Sequence, residues 1–154
     1  MKMKKIILLI TVIAVICSMA ISAGAITDSA SHDIVDQATN VRVARVIYQL
    51  EYNSSLNCVR ATQWVSYETS LLQANQRNFF GEILLTVHVA NGSDESFVEL
   101  GYLTTNTNLA KQEIVVSGND IASGTTITGA HADYSTNFLN GNSAYTFVQD
   151  ELIV

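Results

Sequence analysis

Gly81-Glu82-Ile83-Leu84-Leu85-Thr86-Val87-His88-Val89-Ala90 decides how this chain folds. Ile83, Leu85, Val87 and Val89 alternate with Glu82, Leu84, Thr86 and His88, the two-residue period of a strand with one buried face. Asn91-Gly92-Ser93-Asp94 follows as a turn, and residues 96–105 return as a partner strand carrying Val98, Leu100 and Tyr102. Asn-Gly favours a tight hairpin because both residues accept positive φ.

Upstream, period two also governs residues 41–52. Val41 and Val43 share one face, and Val46, Tyr48, Leu50 and Tyr52 continue the pattern after a slip near Ala44, which predicts a β-bulge. Asn53-Ser54-Ser55 is a turn. Residues 58–67 form the next strand, with Val59, Ala61, Val65 and Tyr67 on one side and Arg60, Thr62 and Trp64 on the other. Residues 69–77 are the one helix candidate in this part of the chain, with Thr69 or Ser70 as cap and Gln73 three residues after Ser70.

Downstream, strands are predicted at 113–117, 125–134 and 144–154, separated by Gly118-Asn119-Asp120 and Asn140-Gly141-Asn142. About seven strands spaced by turn residues, with at most one short helix, define an all-β chain. The expected fold is a single antiparallel β-sandwich or jelly roll over residues 41–154. Residues 26–40 are polar and aperiodic and read as a flexible lead-in.

The first 25 residues have the order of a secretory signal. Lys2, Lys4 and Lys5 precede an apolar run from Ile6 to Ile16, and small residues end in Ala23-Gly24-Ala25. A signal-peptide helix cleaved after Ala25 is the expectation, with a secreted or cell-surface domain as product. Two alternatives stay open: an uncleaved anchor, because residues 6–25 could just span a bilayer, and a lipid anchor at Cys17. The residue before Cys17 is Ile16, however, where such an anchor wants a small side chain.

Cleavage would remove three of the eight basic residues and none of the 14 acidic ones, leaving 5 minus 14, or −9. That sign argues against nucleic acid and against an anionic membrane surface as partners. Ser, Thr and Asn dominate the polar positions and the chain has no proline. A neutral polar β surface of this kind lacks the edge lysines and prolines that block strand-to-strand association.

The chemistry-bearing residues are few. Cys58 would be the one cysteine left after cleavage: a small buried side chain, a partner in an intermolecular disulfide, or a catalytic thiol. Trp64, with Tyr48, Tyr52 and Tyr67, could offer a glycan a stacking face, although aromatics in strands are more often core. His131 and Asp133 lie two apart on a strand and so share a face, which could orient an imidazole as a general base. No histidine sits in a metal-ligand spacing, and no nucleophile elbow, phosphate loop or dinucleotide fingerprint occurs, so no metal, cofactor or catalytic set is expected. The loops at 91–95 and 118–120 are oxygen-rich but lack the acidic ladder of a calcium loop.

The C-terminal run holds Tyr145, Phe147, Leu152, Ile153 and Val154 and ends on three bulky apolar residues, which must be covered by their own sheet or a neighbour's. The leading expectation is a non-enzymatic structural protein, a filament, coat or matrix subunit, that adds its terminal strands to copies of itself. The alternative is a monomeric extracellular module recognising a glycan or surface protein. A small hydrolase using His131 and Asp133 ranks third.

Overall fold

The computed structural model describes residues 24–36, 39–68, 71, 78–103, 109–138 and 147–154. Eight strands lie in these residues: β1 (Ala25–Asp36), β2 (Val41–Asn53), β3 (Cys58–Tyr67), β4 (Phe79–Val89), β5 (Glu95–Tyr102), β6 (Leu109–Ser117), β7 (Ile127–Phe138) and β8 (Phe147–Ile153). One helical turn, α1 (Gly118–Ile121), joins β6 to β7. The signal-peptide helix lies outside the described residues, as does the predicted helix at 69–77 except for Leu71, which sits in a turn.

The strands form two antiparallel sheets of four, ordered β1-β2-β3-β6 and β5-β4-β7-β8. They pack face to face as a β-sandwich. The core takes alternate residues from each strand: Val46, Tyr48 and Leu50 from β2, Val59, Ala61 and Val65 from β3, Ile83, Leu85 and Val87 from β4, and Ala130, Ala132 and Tyr134 from β7. The alternation of β4 is thus the burial pattern of a sheet with one face on the core and one on solvent.

The slip near Ala44 is a bulge. Ile34 and Val35 pair with Ala44 and Arg42, so Val43 is the extra residue, and Val43 and Ala44 are buried in succession. At the centre of the sandwich β4 approaches the other sheet closely. A Cβ on Gly81 would stand 2.0 Å from Nε2 of Gln63 and 2.6 Å from Oε1 of Gln112, so glycine there makes room for this buried amide pair.

Three expectations are corrected. Residues 26–40 are not a flexible lead-in: 25–36 form β1, paired along its length with β2. Its inward positions are Asp28, Ala30, His32 and Ile34, opposite Leu50, Tyr48, Val46 and Ala44. Three of those four are not bulky apolar residues, so the hydrophobic period is missing although the backbone pairing is complete.

The Asn91-Gly92 hairpin is not a two-residue turn either. Pairing with β5 stops at Val87 and Glu95, while on its other side β4 runs on along β7: Val89 pairs with Ile127, and the Ala90 amide donates to the Thr126 carbonyl at 3.0 Å. His88 Nδ1 and Asp94 Oδ2, 3.0 Å apart, close the mouth of the resulting loop.

Finally, the edges are not bare: β1, β5 and β8 carry inward-directed polar or acidic residues at their rims, and the fourth edge strand, β6, carries Lys111. At the seam of β1 and β8, His32 Nε2 meets Asp150 Oδ2 at 2.9 Å, and the Ile153 amide donates to Asp28 Oδ2 at 3.3 Å. On β5, Glu95 and Glu99 occupy the core-facing positions opposite Val87 and Ile83, yet both stay exposed at the rim.

Candidate functional site

The outer face of the second sheet gathers the side chains with most chemical capacity. Register sets its rows. Leu84, Asp133 and Glu151 stand side by side across β4, β7 and β8, with Val98 of β5 beyond Leu84. Thr86, His131 and Ile153 form the next row, and Glu82, Ser135 and Gln149 the row on the other side. His131 and Asp133 share this face because they are two apart in β7, as their spacing predicts.

The fold adds a third group that the local sequence does not reveal. His131 Nε2 lies 3.3 Å from Asp133 Oδ1 and 3.2 Å from Glu151 Oε1, and one atom from each residue falls within 4.8 Å of the others. Glu151 reaches this place through the β7-β8 pairing, which sets it directly opposite Asp133. The only sequence signal for it is the antiparallel register, which no motif records. All three side chains are partly exposed, from 31% for His131 to 60% for Glu151.

Beside this cluster runs an open groove of about 630 Å³ whose lining includes Glu82, Leu84, Asp133, Phe147, Gln149 and Glu151. Among the described residues, this face carries no Lys or Arg. The described cations Arg42, Arg45, Arg60 and Lys111 belong to β2, β3 and β6 of the first sheet. There they are matched by acids: Arg45 to Asp33 at 2.7 Å, Arg42 to Glu68 at 3.0 Å, and Arg60 and Lys111 to Glu113. The hydrogen bond from Arg45 holds the Asp33 carboxyl below its ordinary value. The first sheet's outer face is therefore charge-matched, whereas the second sheet's is acidic.

The same face carries an apolar strip. Val98, Leu100 and Tyr102 of β5 are 55%, 54% and 70% exposed, and Leu84 and Phe80 of β4 flank Val98 and Tyr102 in the register. The Phe80 and Tyr102 rings meet edge to face with centroids 5.7 Å apart.

The other candidate residues are dispersed. Tyr145 lies outside the described residues. Leu152 is buried against the core, Val154 is partly buried, and Phe147 and Ile153 point outward at 50% and 63% exposure. The terminal strand is thus covered by its own sheet.

Trp64 sits half-buried on the outer face of the first sheet between Ile47 and Lys111, while Tyr48 and Tyr67 are in the core. These aromatics do not form one stacking platform. Cys58, at the start of β3, is half-buried, and burial pushes its thiol up, away from the reactive thiolate. In the two oxygen-rich loops, Asp94 is engaged by His88, and Asp120 accepts from the Ser117 amide and hydroxyl at 2.7 Å each.

No protein-family model matches the chain, and comparison with curated proteins and with solved structures likewise gives no match.

Proposed function

We propose that this chain is an exported, non-enzymatic structural protein that associates with copies of itself through the outer face of the β5-β4-β7-β8 sheet. The observation that carries this reading is the strip of Val98, Leu100 and Tyr102, three large apolar side chains more than half exposed on consecutive outward positions of one strand. Leu84 and Phe80 extend it onto β4. A contiguous exposed apolar patch of this kind is the mark of an association surface, since single exposed apolar residues scatter.

Strand addition through the termini is the less favoured mode. β1 and β8 each pair on one side only, but the rims where they meet are occupied by the contacts of His32 with Asp150 and of the Ile153 amide with Asp28. Packing through the face leaves the guarded edges alone. Sedimentation velocity of the purified protein and of the double variant Leu100→Lys with Tyr102→Lys tests the proposal. The wild type should sediment as a dimer or larger species and the variant as a folded monomer. A wild type that stays monomeric at millimolar concentration would overturn it.

The second reading, a module that binds a glycan or surface protein as a monomer, draws on the groove beside Leu84 and Phe147. A glycan-array signal that survives Trp64→Ala but is lost in Phe147→Ala would place recognition in that groove and favour this reading.

A further inference from the structure

We infer that His131, Asp133 and Glu151 form a binding site for a divalent transition-metal ion, with His131 Nε2 and one carboxylate oxygen from each acid as ligands. Both carboxylate oxygens are arranged around the same imidazole nitrogen, at 3.3 and 3.2 Å. A single N–H can point well at only one of them, and a charge-assisted hydrogen bond is normally about 2.7–2.9 Å. The other two histidine–carboxylate pairs are shorter, His32–Asp150 at 2.9 Å and His88–Asp94 at 3.0 Å, and each involves one acid.

The two separations at His131 Nε2 also suit a metal, and the third lies within 4.8 Å. Bonds of about 2.1 Å at the tetrahedral angle place neighbouring ligand atoms about 3.4 Å apart. One imidazole and two carboxylates supply three ligands, and the partly exposed positions leave the remaining coordination direction open to water.

Charge points the same way. Glu82, Asp133 and Glu151 share a face that has no Lys or Arg among the described residues, whereas the four described cations of the first sheet each stand beside an acid. A dication at His131 would supply the missing positive charge. The imidazole favours zinc, copper or nickel over calcium or magnesium, which prefer oxygen alone.

Such an ion would also join two strands. His131 and Asp133 belong to β7, and Glu151 to the edge strand β8, so the metal would staple the edge of the sheet to its neighbour. The site adjoins the apolar strip, with Asp133 beside Leu84 in the register, but ion binding is read directly by titration whether or not the chain self-associates.

Zinc titration by calorimetry, paired with thermal unfolding, tests the inference on the purified protein. The expected result is one zinc ion per chain and a raised Tm, with affinity reduced at least tenfold in both His131→Ala and Glu151→Gln and unchanged in His88→Ala. All three residues are on the outer face, so each variant should keep the wild-type melting profile without metal. Absence of zinc binding, or wild-type affinity in either His131→Ala or Glu151→Gln, would overturn the site.

Discussion

Tyr48 and Tyr134 stack across the sandwich with ring centroids 4.9 Å apart, and each sends its hydroxyl into the opposite sheet. Tyr48 Oη lies 2.9 Å from Thr136 Oγ1 and 3.1 Å from the Val148 carbonyl, while Tyr134 donates to the Gln49 carbonyl at 2.6 Å. The two rings are fully buried and their hydroxyls partnered, so this reciprocal pair fastens one sheet to the other through the core, as the His32–Asp150 contact does at the rim.

Alkaline pH should loosen that fastening. Burial raises the Tyr48 hydroxyl from 10.0 to about 12 and raises Tyr134 further in the same direction. Because the folded state favours the protonated form, its contribution is fully present below about pH 10, the unfolded value. It is lost as pH rises through the folded value near 12. For Tyr48 the loss is on the order of 3 kcal/mol. Chemical denaturation at a series of pH values should show flat stability up to about pH 9 and a decline above pH 10. Tyr48→Phe should flatten that decline while costing about 1–2 kcal/mol at neutral pH. An identical alkaline limb in the variant would show that other groups cause it.

Asn57 should be intolerant of change although its neighbourhood reads as an ordinary turn. It holds positive φ at 50°, its Nδ2 donates to the Thr125 carbonyl at 2.7 Å, and its Oδ1 accepts from the Ile127 amide at 2.8 Å. Its carbonyl takes the Gly118 amide at 2.9 Å. One residue of the β2-β3 turn therefore fixes the approach to β7. Asn57→Ala should lower unfolding free energy by about 2–4 kcal/mol, from two lost hydrogen bonds and the strain of left-handed alanine. Gly118→Ala should behave similarly, since its Cβ would stand 2.1 Å from Asn57 Nδ2 and 2.2 Å from the Thr125 carbonyl. Urea midpoints near wild type for both would refute the role given to Asn57.

These cases show where sequence reading succeeds and where it stops. Wherever one face of a strand buries bulky side chains, as with Ile83, Leu85 and Val87, the pattern is visible, and even the Val43 bulge shows as a break in period. β1 escapes notice because Asp28 and His32 face inward at a rim, where they meet the backbone and side chains of β8. The site follows the same division. His131 and Asp133 are joined by local spacing, whereas Glu151 is joined by register alone, and register depends on where the β7-β8 connection closes. Asn57 is likewise defined by partners about 70 residues away, at Thr125 and Ile127.

Cys58 should react sluggishly. Its thiol is half-buried and pushed up by desolvation, a change that the Arg60 charge opposes without reversing. A smaller thiolate fraction means slower attack on a disulfide reagent. In a colorimetric thiol assay at pH 8, the native protein should react more slowly than free cysteine and speed up in denaturant. A disulfide-linked dimer on a non-reducing gel would instead show that Cys58 emerges to meet a partner.

Removal of the last three residues should weaken the fold itself. Leu152 is 3% exposed and packs in the core opposite Ala132, and Val154 exchanges two backbone hydrogen bonds of 2.9 Å with Ala130. Burial of one leucine side chain contributes about 1.5–3 kcal/mol, and the lost strand end adds to that. Deleting 152–154 should therefore lower the thermal midpoint sharply, before any question of assembly arises. Ile153→Ser and Phe147→Ser touch the opposite, exposed face of the same strand and should cost less than about 1 kcal/mol each. If the deletion instead melted like wild type, β8 would contribute nothing to the sandwich, and its apolar residues would have to be explained by a partner chain.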